Sequence, residues 1–278
     1  DGAMTARVLE CPRALALALG TQGLVNIQYL VYGGELYVIE VNPRASRTVP
    51  YLSKISGLHM ADVATRVMMG ETLESMGYPD GLAREPEYVG VKVPVFSFEK
   101  VPNANSLLGP EMKSTGEVLG IGRTFEEALY KGLTAAGFKF VSADGDKRMG
   151  VLLSVENRQL GEIGELVSRL DADGRHIFAT PDTAAAVKAL GRYAFDIGAV
   201  TRTADIGGLL ERANIGLVIY TGALHDDTMG DYVELHRQAV KRGIPTLTSI
   251  DTALAAVSLL DDGWTESSTE LTDVSEIR

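Results

Sequence analysis

Cysteine is nearly absent: Cys11 is the only one in 278 residues. That excludes an internal disulfide framework and any cysteine-cluster metal site. It also fits a reducing compartment, and cytoplasm is the expected location. Runs of Lys or Arg are missing too, and the formal net charge is −11. Nucleic acid and anionic membranes need a concentrated positive footprint, so neither is an expected partner. No apolar stretch approaches the ~20 residues that cross a bilayer. No uninterrupted apolar core follows a basic start, so the opening does not read as a signal peptide. There is no internal repeat and no low-complexity tract. The opening Asp1-Gly2-Ala3, without a starting Met, reads as the interior of something longer.

What is present is ample apolar material, 45% of residues. That is enough for one or two cores. Residues 4–19 read as a helix interrupted near Pro12, and residues 24–31 and 36–41 as two strands around Gly33-Gly34. Residues 43–58 read as loop, 60–69 as helix, and 72–87 as an irregular excursion. Strands are expected at 88–98 and 117–122. Thr124-Phe125-Glu126-Glu127 is a capping box opening a helix to about Gly137.

The composition shifts at Ser142–Lys147, where the boundary between two domains is expected. Beyond it, short apolar strands near 150–155, 176–179, 195–200, 215–220 and 245–248 alternate with helices. Those fall near 159–170, 182–191, 205–213, 231–242 and 251–260. This is the rhythm of a parallel α/β sheet with crossover helices. From Asp261 the chain is acidic and polar and reads as a tail with partial disorder.

The hairpin carries the first chemistry. Period-2 alternation puts Glu40 and Asn42 on one face. Gln28 joins them only in one register. A two-residue turn at Gly33-Gly34 pairs position 28 with 39 and turns Gln28 away, whereas a three-residue loop including Glu35 pairs 28 with 40. Carboxylate and amide oxygens are hard ligands that suit Mg²⁺ or Mn²⁺. Arg44 adds a fixed fork for phosphate or carboxylate. The same segment also reads as a polar turn in which Asn42 and Pro43 stop a strand. Glu111, Lys113 and Glu117 read as a solvated turn between strands, and His59 as a cap or surface residue.

The stretch Ile39-Glu40-Val41-Asn42-Pro43-Arg44-Ala45-Ser46-Arg47-Thr48-Val49-Pro50 resembles the metal-binding stretch of carbamoyl phosphate synthetase large chains, in the ATP-grasp superfamily. Leu24–Tyr29 resembles the strand before it. Leu108–Val118 and Gly122-Arg123-Thr124-Phe125 resemble a later signature. The resemblance implies the C-terminal lobe of an ATP-grasp fold, α+β, over residues 1–143, from the second half of the large chain. By that resemblance Gln28, Glu40 and Asn42 bind two Mg²⁺ or Mn²⁺ ions with ATP as substrate, and Arg44 is the catalytic phosphate contact. The nucleotide-gripping lobe has no counterpart before Leu24, so the chain alone is expected to be inactive.

Residues 144–262 resemble a Rossmann-like, methylglyoxal-synthase-like regulatory domain, followed by a tail over 263–278. Ligands of such sheets sit beyond the carboxyl ends of the strands. The expected effector residues are Thr180, Thr183, Arg202 and Thr221, for a nucleotide such as UMP or IMP. Thr180 and Thr183 read equally well as helix caps. The family pattern departs here: Thr180-Pro181-Asp182-Thr183 and Tyr220-Thr221-Gly222 stand where its usual residues would, and its lysines have no clear equivalent. The overall expectation is a part of a ligase that makes carbamoyl phosphate from bicarbonate, ATP and glutamine-derived ammonia, for pyrimidine and arginine synthesis. Its partners would be the rest of the large subunit and a glutamine amidotransferase small subunit. The competing readings are a stand-alone effector-binding module, a methylglyoxal-synthase-type lyase, and another ATP-grasp ligase.

Overall fold

The computed structural model describes residues 2–78, 81–97, 112–139, 149–200, 203, 205–221 and 229–277, with the side chains of 229, 230 and 261 left aside. It is a mixed α/β chain that divides into two compact units. One comprises residues 1–89 and 271–278, and the other residues 90–270. The domain boundary expected between 143 and 144 lies outside the described residues.

The first unit begins with α1 (Gly2–Ala18), which tolerates Pro12 inside it and buries none of its residues. Then come the antiparallel strands β1 (Asn26–Tyr32) and β2 (Glu35–Asn42). Arg7 of α1 pairs with Glu35 at 2.9 Å and holds the helix to the turn of the hairpin. Two helices follow, α2 (Thr48–Ser56) and α3 (Met60–Met68). The first of these corrects the loop expected over 43–58. Pro50 falls in the first turn, where backbone N–H groups have no intrahelical acceptor, so it does not break the helix. Val49, Leu52 and Ile55 recur at helical spacing, and Ile55 is buried. Gly57, at φ 67°, ends the helix in the left-handed conformation.

The second unit opens with β3 (Val89–Val95) and β4 (Gly116–Gly122), hydrogen-bonded as a two-stranded sheet. Glu117 pairs with Lys92 across them at 3.1 Å, so it is a surface partner. Glu111 lies outside the described residues. α4 (Phe125–Ala135) packs on β4 so closely that a side chain at Gly120 would strike the backbone of Ala128 and Gly132. The expected cap is present: Thr124 accepts the Glu127 N–H. Glu127 itself is buried, and it accepts the N–H groups of Arg123 and Glu270 and pairs with Lys131 at 2.8 Å.

The rest of this unit is a parallel sheet of five strands. They are β5 (Gly150–Ser154), β6 (Ile177–Ala179), β7 (Phe195–Asp196), β8 (Ile215–Tyr220) and β9 (Thr246–Leu247), in the order β7-β6-β5-β8-β9. The connecting helices are α5 (Gly164–Ala172), α6 (Pro181–Ala189), α7 (Ile206–Arg212), α8 (Met229–Lys241) and α9 (Ile250–Asp261). A 3-10 turn, Asn157–Glu162, occupies what read as the first turn of α5.

The central strands are apolar on both faces because both are covered. Val151, Leu153, Leu217 and Ile219 join a core with residues of α5, α6 and α9. The alternating Leu152, Val218 and Tyr220 join a second core with Ile206, Leu210, Tyr232 and Leu235 of α7 and α8. Each fully buried Leu is worth roughly 1.5–3 kcal/mol in area removed from water. Past α9, the expected polar tail carries 3-10 turns at Glu266–Ser268 and Val274–Glu276, and Ile277 is buried.

Candidate functional site

The hairpin sets the geometry. Gly33 and Gly34, at φ 58° and 78°, form a two-residue turn that pairs Tyr32 with Glu35. Such a turn requires positive φ at both positions, which glycine adopts without steric cost. Continued regularly, the register would bring Gln28 opposite Ile39. Instead it shifts between Gln28 and Tyr29, so that Tyr29 pairs with Val38 and Gln28 with Glu40. Ile39 is the extra residue of a β-bulge. The three-residue loop is therefore not what pairs 28 with 40; a two-residue turn plus a bulge does so.

The result is that Gln28, Glu40 and Asn42 meet. Gln28 Nε2 and Asn42 Nδ2 both donate to Glu40 Oε1 at 2.8 Å. Gln28 and Glu40 are exposed, and Asn42 is half-buried. Next along β1, Tyr29 is half-buried, and burial together with the neighbouring Cys11 of α1 pushes its phenol up to about 12.

A divalent cation fits this donor set. Each amide places its N–H on the carboxylate, and a half-turn about the terminal torsion replaces nitrogen by oxygen with no change of shape. One carboxylate and two amide oxygens would remain, a hard-oxygen set with a single negative charge. Such a set suits Mg²⁺ or Mn²⁺ that draws its other ligands from water and phosphate. Among the described residues no group of three His, Cys, Asp or Glu could hold a metal. Arg44 follows in a tight turn, its N–H donating to the Asn42 carbonyl at 2.8 Å. Its guanidinium donates to the Ala45 carbonyl at 3.0 Å.

The residues expected around an effector divide. Thr180, Thr183 and Thr221 meet at the carboxyl ends of β5, β6 and β8, together with Ser154, whose role the sequence left unread. Ser154 Oγ lies 3.0 Å from Thr180 Oγ1, which donates to Thr183 Oγ1 at 3.3 Å. Thr183 accepts the Val155 N–H and Thr221 accepts the Glu156 N–H, each at 2.9 Å. Both hydroxyls are buried and fasten the backbone that leaves β5. Thr180 stands at the N-cap of α6 but makes no side-chain cap bond. Arg158 pairs with Glu156 at 2.8 Å. Arg202 lies outside the described residues.

The chain is similar to known proteins of one kind over most of its length. The family described as carbamoyl-phosphate synthase L chain, ATP binding domain, matches residues 6–76. The carbamoyl phosphate synthase large chain of Clostridium perfringens strain 13 is 44% identical over 257 residues, 92% of this chain and 24% of the relative. That of Clostridium beijerinckii is 42% identical over 257 residues, 91% and 24%. That of Clostridium botulinum strain Loch Maree is 41% identical over 254 residues, 91% and 23%. The chain thus spans about a quarter of the length of the curated relatives it matches.

Proposed function

The chain is homologous to one part of the carbamoyl phosphate synthase large chain, and we propose that it serves such an ATP-dependent ligase as the metal-holding half of a phosphoryl-transfer site joined to a regulatory module. The observation that carries this reading is the bulge-set register that gathers Gln28, Glu40 and Asn42. In the proposal residues 1–143 are the end of an ATP-grasp domain, residues 144–262 a methylglyoxal-synthase-like domain, and residues 263–278 its tail. The reaction is phosphorylation of carbamate derived from bicarbonate and glutamine-derived ammonia, within pyrimidine and arginine synthesis in the cytoplasm. The partners are the rest of a large subunit and a glutamine amidotransferase small subunit.

Glu40 would hold the metal with its negative charge, and the amides of Gln28 and Asn42 would offer their oxygens to it. Mg²⁺ or Mn²⁺, two per site, would supply positive charge against the phosphate charge that builds during transfer. Arg44 exchanges the Ala45 carbonyl for a phosphate oxygen. The protein contributes position and electrostatics rather than a covalent step. Residues that grip the nucleotide come from outside this chain, so the chain alone does not turn over ATP.

The test uses carbamate-dependent ADP formation. Glu40→Gln in an intact large chain is expected to lower it by about a hundredfold or more, while the purified 278-residue chain forms none. Full activity in Glu40→Gln, or ADP from the 278-residue chain, would contradict the proposal. The Ser154 and Thr180 hydroxyls at the carboxyl ends of β5 and β6 support a second reading alongside it, a nucleotide effector such as UMP or IMP bound there. Calorimetry with the whole chain tests this, and the absence of heat with either nucleotide removes it.

A further inference from the structure

Residues 271–278 belong to the first compact unit, together with residues 1–89. Asp273 sets their local form: its carboxylate accepts the N–H and the hydroxyl of Ser275, at 2.9 and 2.7 Å. The turn so formed, Val274–Glu276, lies against α2. Ile277, next along, is buried, while Leu271 and Val274 are exposed. Among the described residues of this unit, Ile55 of α2 and Ala64 of α3 are the other buried hydrophobic ones. Segment 271–277 therefore supplies apolar burial that the hairpin and its helices have little of.

α2 needs such support. It has nine residues, and a helix so short is marginal without tertiary packing. Its N-cap residue, Arg47, makes no side-chain cap bond. α3 holds it from one side, where Ser53 Oγ accepts the Met60 N–H at 3.3 Å. The start of α2 is bonded back toward the hairpin. The Val49 N–H donates to the Ser46 carbonyl at 3.1 Å, and the Thr48 N–H to the Ser46 hydroxyl at 3.3 Å. Two residues before Ser46, the Arg44 N–H donates to the Asn42 carbonyl at 2.8 Å. The Asn42 amide in turn donates to Glu40. Short bonded links thus run from α2 to the candidate ligand set.

We propose that segment 271–277 is a strap that seats α2, and that Ile277 is thereby a positioning residue for the metal face of Gln28, Glu40 and Asn42. The positioning role rests on the metal reading of the hairpin; the seating of α2 does not. Seated, the strap keeps Arg44 and Asn42 in line. Released, it lets the start of α2 fray, and a divalent cation binds less tightly although the hairpin is intact.

Ile277→Asp in the 278-residue chain tests both roles. Amide hydrogen exchange of residues 51–56 should quicken by about tenfold or more, while that of β5 and β8 stays as it is. The Kd for Mn²⁺ alone, read from the electron paramagnetic resonance of the free ion, should rise roughly threefold or more. Ile277→Val keeps an apolar group and should keep both native values. Leu271→Asp, at an exposed position of the same segment, should change neither. A variant lacking residues 271–278 should repeat the result of Ile277→Asp, and takes its place if that variant does not fold. Unchanged exchange in α2 overturns the strap. Quickened exchange with an unchanged Mn²⁺ Kd overturns the positioning role. If the native chain binds no Mn²⁺, the metal reading fails and the positioning role with it, while exchange in α2 still decides the strap.

Discussion

The two compact units bury apolar surface very differently. In residues 90–270, Leu152, Leu153, Leu166 and Leu170 are fully buried, and the sheet has a core on each face. In residues 1–89, Ile55 and Ala64 are the buried hydrophobic residues among those described. The hairpin that carries the candidate metal ligands leaves Leu30, Val31, Tyr32, Tyr37, Val38 and Ile39 at 43–75% exposure. A two-stranded ribbon with an apolar face is marginal by itself. An exposed patch of this kind marks a surface that something else covers. The lesson is that polar chemistry and packing are separable. The second unit is built to stand, and the first to present Gln28, Glu40 and Asn42.

The sharpest way to break this comparison is truncation on both sides of it. Leu152→Ala should cost roughly 2–5 kcal/mol, because a cavity opens in a closed core. Leu30→Ala should stay within about 0.5 kcal/mol. Urea unfolding followed by the fluorescence of Trp264, which packs against the core of the second unit, measures the first. Urea unfolding followed by far-UV circular dichroism measures the second. Equal costs would mean that the hairpin is as well buried in solution as the sheet. A smaller effect is expected at Thr183. Thr183→Val leaves the Val155 N–H without its acceptor in a buried place, at a cost of about 1–3 kcal/mol. A neutral outcome would show that this hydroxyl is not a fastener and would free it for a ligand.

Smaller still is a pH effect confined to the second unit. Burial raises the Glu127 pKa, but its hydrogen bonds to Lys131 and to the N–H groups of Glu270 and Arg123 outweigh that and hold it below the usual value. A depressed folded pKa contributes stability that is present above the unfolded value, about 4.3. That stability is lost as pH falls through the folded value. Urea midpoints measured from pH 6 down to pH 3 should fall more steeply in the native chain than in Glu127→Gln. Parallel slopes would remove Glu127 from the account of how Glu270 is held.

Much of the fold was legible, and the reasons are local. Both-face burial leaves continuous apolar runs such as Gly150–Ser154 and Ile215–Tyr220, and Thr124 announces α4 through its cap. The misses are equally physical. α2 was hidden inside a stretch that read as loop, although its Pro50 sits where a helix tolerates it. The bulge at Ile39 has no signature in Tyr37-Val38-Ile39-Glu40-Val41, since an extra residue in a β-branched run changes no composition. The residue types of the candidate metal site were therefore readable, while its register was not. A cavity of about 370 Å³ beside Thr246 escaped for another reason. Its walls come from five elements, β3, α4, α8, β9 and α9, and from the segments after α4 and α8, and no short spacing links them.

The most direct measurement of the hairpin claim is Mn²⁺ titration of the 278-residue chain, followed by paramagnetic broadening of side-chain amide NMR signals. The Gln28 and Asn42 NH₂ resonances should broaden first and together, and Glu40→Gln should abolish the effect. Broadening of one without the other, or broadening that persists in Glu40→Gln, would contradict a shared metal face set by the bulge at Ile39.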